Sequence, residues 1–191
     1  MPRGGGKARR YAPPMDVTLV AVGPDLRERI LALGPRPEQT RFAGRPTETL
    51  PEAEADPQRE PVAILEAGEP VGFCVLHRGP GPDGLAPAPT DVLLRGFFVD
   101  AAAQGRGVAT RALTRLPGFV AVRHPRARRI VLTVNTRNAP AIRAYRKAGF
   151  RDHGELYHGG AHGPQHVLEL DLEDALSPPG PRERGTPRAR A

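Results

Sequence analysis

Two glycines one residue apart, Gly105 and Gly107, stand where an apolar run gives way to a helical pattern. Leu93 to Val99 is apolar apart from Arg95 and Gly96, as a buried strand requires, whereas Val108, Ala112, Leu113 and Leu116 recur at helical spacing. The chain therefore turns from strand to helix through Gln104-Gly105-Arg106-Gly107. Glycines there let the backbone approach a ligand closely, and the unpaired N–H groups of the first helical turn, with the helix dipole behind them, favour a pyrophosphate. A Rossmann dinucleotide site would need a third small residue where Thr110 stands and an acid about 20 residues further on for the ribose. No Asp or Glu falls between Val108 and Leu132. The Walker A pattern is also missing.

Three other places could carry chemistry. Tyr145 shares a helical face with Ile142 and offers a phenol that, with an ordinary pKa near ~10, donates a proton at neutral pH. The segment from His153 to His166 gathers four of the six histidines. His158, His162 and His166 are spaced by four, but intervening glycines and Pro164 rule out the helix that would bring them to one metal ion, and no cysteine cluster supports a zinc site. No metal is expected. Cys74, the single cysteine, lies between Phe73 and Val75 and reads as core packing rather than as a nucleophile.

The glycine turn carries more than glycine. Gln104-Gly105-Arg106-Gly107-Val108-Ala109 resembles the Q/R-x-x-G-x-G/A signature of the GNAT acetyltransferase family. Asn135-Thr136-Arg137-Asn138-Ala139-Pro140-Ala141-Ile142-Arg143-Ala144-Tyr145-Arg146-Lys147-Ala148-Gly149-Phe150 is similar to that family's N-x-x-A-x-x-x-Y-x-K-x-G-F segment, about thirty residues later and in the right order. The resemblance covers roughly residues 15 to 172. It implies an α/β (α+β) GNAT fold with a mixed, mostly antiparallel sheet of about seven strands, splayed between the fourth and fifth and flanked by helices. It also implies acetyl-CoA as co-substrate, held by Phe97, Phe98 and Val99 on the fourth strand, by Gln104, Gly105, Arg106, Gly107, Val108, Ala109 and Thr110 at the phosphates, and by Asn138 and Tyr145.

The reaction implied is direct attack of a small-molecule primary amine on the thioester in a ternary complex. Tyr145 would protonate or hydrogen-bond the departing thiolate. Many relatives carry a Glu where this chain has Arg95, which puts a carboxylate base in doubt. Arg95 instead suits an acidic substrate group, or an ion pair with Asp91 or Glu155. Glu155 and His158 are the expected proton acceptors for the amine if the final hairpin closes the acceptor end. An acidic stretch, Glu48, Glu52, Glu54, Asp56 and Glu60, could attract a polyamine or be a solvated face. Two other readings stay open: a protein or peptide N-terminal acetyltransferase, and a non-catalytic acyl-CoA-binding module.

The elements that must position these residues can be read along the chain. A strand is expected at 16–22 and a helix at 25–33, ended by Gly34 and Pro35. The proline-interrupted stretch from Pro35 to Pro61 reads as short helix plus loop. Val62 to Glu66 and Val71 to His77 form a hairpin around Ala67-Gly68-Glu69-Pro70, and Gly79 to Pro89 is a loop. The helix from Gly107 should kink or break at Pro117-Gly118. Asn138 should cap the next helix and Gly149 end it. Strands at about 154–157 and 166–172 complete the sheet.

Of the 191 residues, the tails carry all of the net charge of +7. Residues 1–14 contribute +4 and 177–191 contribute +3, leaving 20 basic against 20 acidic groups in 15–176. Both tails are rich in Pro, Gly and Arg and are expected to be disordered. The domain between them gives no reason to expect specific nucleic-acid binding. No stretch suits a signal peptide or a membrane span, so a soluble, cytoplasmic monomer or homodimer without a membrane partner is expected.

Overall fold

The computed structural model describes residues 16–177 except 80, 82, 83 and 87. Both tails, apart from Ser177, and part of the Gly79 to Pro89 loop lie outside the described residues. Seven strands form one sheet: β1 (Val17–Ala21), β2 (Arg59–Glu66), β3 (Glu69–Arg78), β4 (Asp91–Val99), β5 (Arg129–Asn135), β6 (Arg151–Tyr157) and β7 (Gln165–Asp171). Their order is β1-β2-β3-β4-β5-β7-β6. Every neighbouring pair is antiparallel except β4 with β5.

Strand alternation divides the core between two faces. On one, Val62, Cys74, Leu76, Leu94, Ile130 and Leu132 pack under α4 (Val108–Arg123) and α5 (Ala139–Lys147). On the other, Ala63, Phe73, Val75 and Phe98 meet Leu26 and Ile30 of α1 (Pro24–Leu31) and Leu50 and Ala53 of α3 (Pro46–Glu54). The stretch from Pro35 to Pro61 is short helix plus loop as expected, holding a 3-10 turn (Pro37–Gln39), α2 (Thr40–Ala43) and α3 before β2 begins at Arg59. A last short helix, α6 (Leu172–Leu176), follows β7.

The expected break at Pro117-Gly118 does not occur. Helix α4 runs unbroken through Pro117 to Arg123. Leu113, Leu116 and Val120 are all buried on the sheet, and their packing keeps the helix continuous although Pro117 supplies no N–H. The β2–β3 hairpin is tighter than its sequence suggests. Glu66 pairs with Glu69, so only Ala67 and Gly68 turn the chain, both at positive φ.

The parallel pair is held at one end and opened at the other. Asp91, 1% exposed, accepts hydrogen bonds from Nε and Nη2 of Arg129, each at 3.0 Å, and from the Ala88 N–H at 3.0 Å. Arg129 also reaches Glu169 on β7 at 3.0 Å, so one guanidinium joins three strands. Pairing then runs only from Asp91–Arg129 to Leu94–Leu132. Beyond it the register of β4 against β3 shifts by one residue, and Gly96 takes φ +57°. Such a bulge bends its strand, and here it carries β4 away from β5. Asp91→Asn should therefore lower stability by about 2–3 kcal/mol, because the guanidinium loses its charged partner on β4 and keeps only Glu169. Urea denaturation checks this: the midpoint should fall with an unchanged slope, and an unmoved midpoint would mean that the sheet alone holds the register.

Candidate active site

The parting of β4 and β5 opens a cleft of about 750 Å³. The Asp100 N–H donates to Val71 of β3, so by alternation Phe97 and Val99 turn their backbone groups away from β3 and towards the gap. These are strand-edge groups of the kind that pair with an extended ligand carrying amides, although the Val99 carbonyl is already taken by the Gln104 side chain.

At one end of the cleft lies the glycine turn. Asp100 accepts from the Ala102 and Gly34 N–H groups at 3.0 Å each, fixing the chain as it leaves β4. The Gln104 amide donates to the Val99 carbonyl at 2.9 Å and to Gln39 at 2.7 Å. Gly107 is the N-cap of α4 at φ +76°, a left-handed conformation that a side chain resists, and no side chain caps the helix. The first-turn N–H groups are consequently left for a ligand.

A buried carboxylate braces this turn from behind. Glu66, 5% exposed at the end of β2, accepts from Arg106 at 3.0 Å and from Arg111 at 2.7 Å. Arg111 also donates to the Arg106 carbonyl at 2.8 Å. That bond turns the carbonyl of the loop away from the anion site and leaves the amides facing it.

At the middle of the cleft stands Tyr145. Its ring is 8% exposed and meets Phe97 edge-on at 6.1 Å and Phe150 at 5.7 Å. Burial, with a smaller contribution from Cys74, pushes the phenol well above its ordinary pKa. The hydroxyl therefore stays protonated throughout the neutral range. The Asn138 side chain caps α5 by accepting from the Ala141 N–H at 3.3 Å, and so fixes the helix that carries Tyr145.

Phe97, Phe98, Val99, Gln104, Gly105, Gly107, Val108, Ala109, Asn138 and Tyr145 all line the one cleft. Arg106, Thr110, Glu155 and His158 do not. The Arg106 guanidinium is held by Glu66, and Thr110 lies within α4, its carbonyl accepting from the Thr114 hydroxyl. Glu155 and His158 are exposed, because β6 is the sheet edge and its chain twists at Gly154, φ +84°. In their stead Tyr157, His162 and Gln165 close that end of the cleft, together with Arg41 and Phe42 from α2. The histidine-rich segment pointed to His162. Nothing in the sequence marked α2.

Arg95 lines the same end. Neither of its expected partners engages it: Asp91 is taken by Arg129, and Glu155 makes no ion pair with it among the described residues. Its Nη1 lies 3.5 Å from Nδ1 of His77. Burial, then the Arg95 and Arg59 charges, hold the imidazole below its usual pKa. No group of three or more His, Cys, Asp or Glu is placed to hold a metal ion among the described residues. None of their helices is long and apolar enough to cross a membrane.

Comparison with known proteins identifies the family. Residues 24–150 match the acetyltransferase (GNAT) family model. An uncharacterized N-acetyltransferase of Bacillus subtilis, YbbJ, is 37% identical over 120 residues, covering 61% of this chain and 74% of its own. The spermine/spermidine N(1)-acetyltransferase of the same organism is 30% identical over 148 residues, 74% of this chain and 92% of its own. Among solved structures, AAC(6')-Ib with paromomycin and acetyl-CoA superposes with a TM-score of 0.71 at 20% identity, over 87% of this chain and 99% of that one. The Vibrio cholerae spermidine N-acetyltransferase with CoA and spermine gives 0.65 at 17% identity, over 85% and 99%. These two share the fold.

Gly107→Val should cut acetyl-CoA affinity by at least about tenfold, since the side chain opposes the positive φ that aims the α4 amides. Isothermal titration checks it; retained affinity would put the phosphates elsewhere. The matched model spans well over half of the sequence, and the chain belongs to the GNAT acetyltransferase family as an acetyl-CoA-dependent N-acetyltransferase.

Proposed function

We propose that the protein acetylates a primary amine of a small molecule by direct attack on acetyl-CoA in a ternary complex, with Tyr145 as the general acid. One observation carries this reading: a single cleft joins the uncapped N-terminus of α4, the free edge of β4 and the protected Tyr145 hydroxyl. The diphosphate would rest on the amides that follow Gly107. The pantetheine amides would pair with Phe97 and Val99. As the amine nitrogen bonds to the acetyl carbon and the carbon–sulfur bond breaks, Tyr145 supplies the proton that the sulfur takes up, and the proton shed by nitrogen leaves to water. A cytoplasmic setting agrees with the lone, buried Cys74.

The cleft contains no carboxylate lining residue among those described, and its charged side chains are Arg41 and Arg95. Like charge disfavours an ammonium ion. The acceptor is therefore bound as the neutral amine, which is the nucleophilic form, without a dedicated carboxylate base beside it.

Tyr145→Phe keeps the buried ring and removes only the hydroxyl. It should lower kcat by about a hundredfold while the acetyl-CoA Kd stays within about twofold. Thiol release together with titration checks both, and an unchanged kcat would remove Tyr145 from the chemistry. The wild-type kcat/KM for the acceptor should rise with pH as the free amine loses its proton, and kcat should show no descending limb up to about pH 10, because the raised Tyr145 pKa keeps the donor protonated. A fall between pH 8 and 10 would contradict that assignment.

A further inference from the structure

We propose that Arg95 is an anion-binding residue of the acceptor pocket, and that the acceptor carries a carboxylate or phosphate a few bonds from its amine. The proposal rests on the acetyltransferase reading above and names its substrate class. Arg95 projects from β4 into the cleft two residues before Phe97, on the opposite side of the Gly96 bulge from the phosphate turn. It is half-buried, yet among the described residues no carboxylate lies within ion-pair distance of it. The groups near enough to favour its charge are Glu52, the Tyr157 phenol and Asp56, and both carboxylates are engaged by Arg59, at 3.5 and 3.1 Å. A desolvated guanidinium without a counter-ion is costly, and a ligand anion removes that cost.

The phosphates of acetyl-CoA do not fill this role. Four residues of strand separate Arg95 from Val99, about 13 Å at ~3.3 Å per residue, and the α4 amides lie beyond that. The other charged side chain at this end, Arg41, is also a cation; its guanidinium sits 4.7 Å from the Phe42 ring centre. A polyamine would thus meet two arginines and no acid. His77, against Arg95, is held towards its neutral form by burial and by that same charge, so it can accept from the guanidinium and orient its fork. Burial and the neighbouring Arg59 disfavour the charge on Arg95 itself. The acids that would suit a polycation, from Glu48 to Glu60, leave no side chain on the cleft wall.

The test is thiol release with matched acceptors: amino acids against their amides, phosphoethanolamine against ethanolamine, and spermidine. The anionic member of at least one pair should have a kcat/KM at least about tenfold above its neutral partner, with spermidine below both. The two pairs tell a carboxylate from a phosphate. Arg95→Gln should bring the favoured ratio close to one by raising KM, with the acetyl-CoA Kd unchanged as the control for an intact fold. Arg95→Lys, which keeps the charge but not the fork, should fall between. Spermidine as the best acceptor, or a ratio that Arg95→Gln leaves unaltered, would overturn the anionic-acceptor proposal and leave the acetyltransferase intact. Acetyl-CoA binding without thiol release on any amine would overturn both.

Discussion

Everything this fold offers to a ligand depends on two parallel strands that pair for four residues and then separate. Parallel strands ordinarily satisfy each other's backbone groups along their length. Here the Asp91–Arg129 pair locks their first residues together, and the bulge at Gly96 bends β4 away after Leu94. The clamp and the bulge act as a hinge plate and a wedge. Unmade strand hydrogen bonds would be costly if dry. In a cleft they face water until an extended ligand takes its place, and the cost of opening the sheet becomes affinity for a chain of amides.

The same division between fixed and vacant groups recurs at the glycine turn. Glu66 is buried and holds the more exposed Arg106 and Arg111, and that ion cluster is the scaffold of the turn. Arg111 also holds the carbonyl of Arg106, so an anion at the first turn of α4 would meet backbone dipoles. Arginine in a phosphate-binding sequence invites the opposite reading. Arg106 shows why geometry decides: its guanidinium is committed to Glu66 before any ligand arrives.

Features set by neighbours in sequence were legible from sequence. The strand ending at Val99, the turn at Gly107, the Asn138 cap and the stop at Gly149 all follow from local backbone chemistry, and the structure has each of them. What failed depended on distant packing. Pro117 predicts a kinked or broken helix, but three buried neighbours on the sheet side keep it continuous. An ion pair of Arg95 with Asp91, one of the alternatives the sequence left open, does not form, because Arg129 lies opposite Asp91 across the strand pair and holds it. Glu155 and His158 carry suitable chemistry, yet the twist of an edge strand turns them to solvent and brings Tyr157 and His162 to the cleft. No periodicity in a glycine-rich hairpin could have told these apart.

Electrostatics then links the two ends of the cleft. An acid on the wall would hold an amine tightly, but as the ammonium ion, and a base would still be needed to free its lone pair. Cations on the wall do the reverse: they bind the amine poorly and make it a nucleophile. Such a site needs another handle on its acceptor, and the handle that a cationic wall provides is for an anion. On the anionic-acceptor proposal, Arg95 would serve affinity and reactivity through one charge. The phenol at Tyr145 fits the same scheme. A proton donor buried between Phe97 and Phe150 is insulated from the change of charge at the other end, and stays protonated when the amine does not.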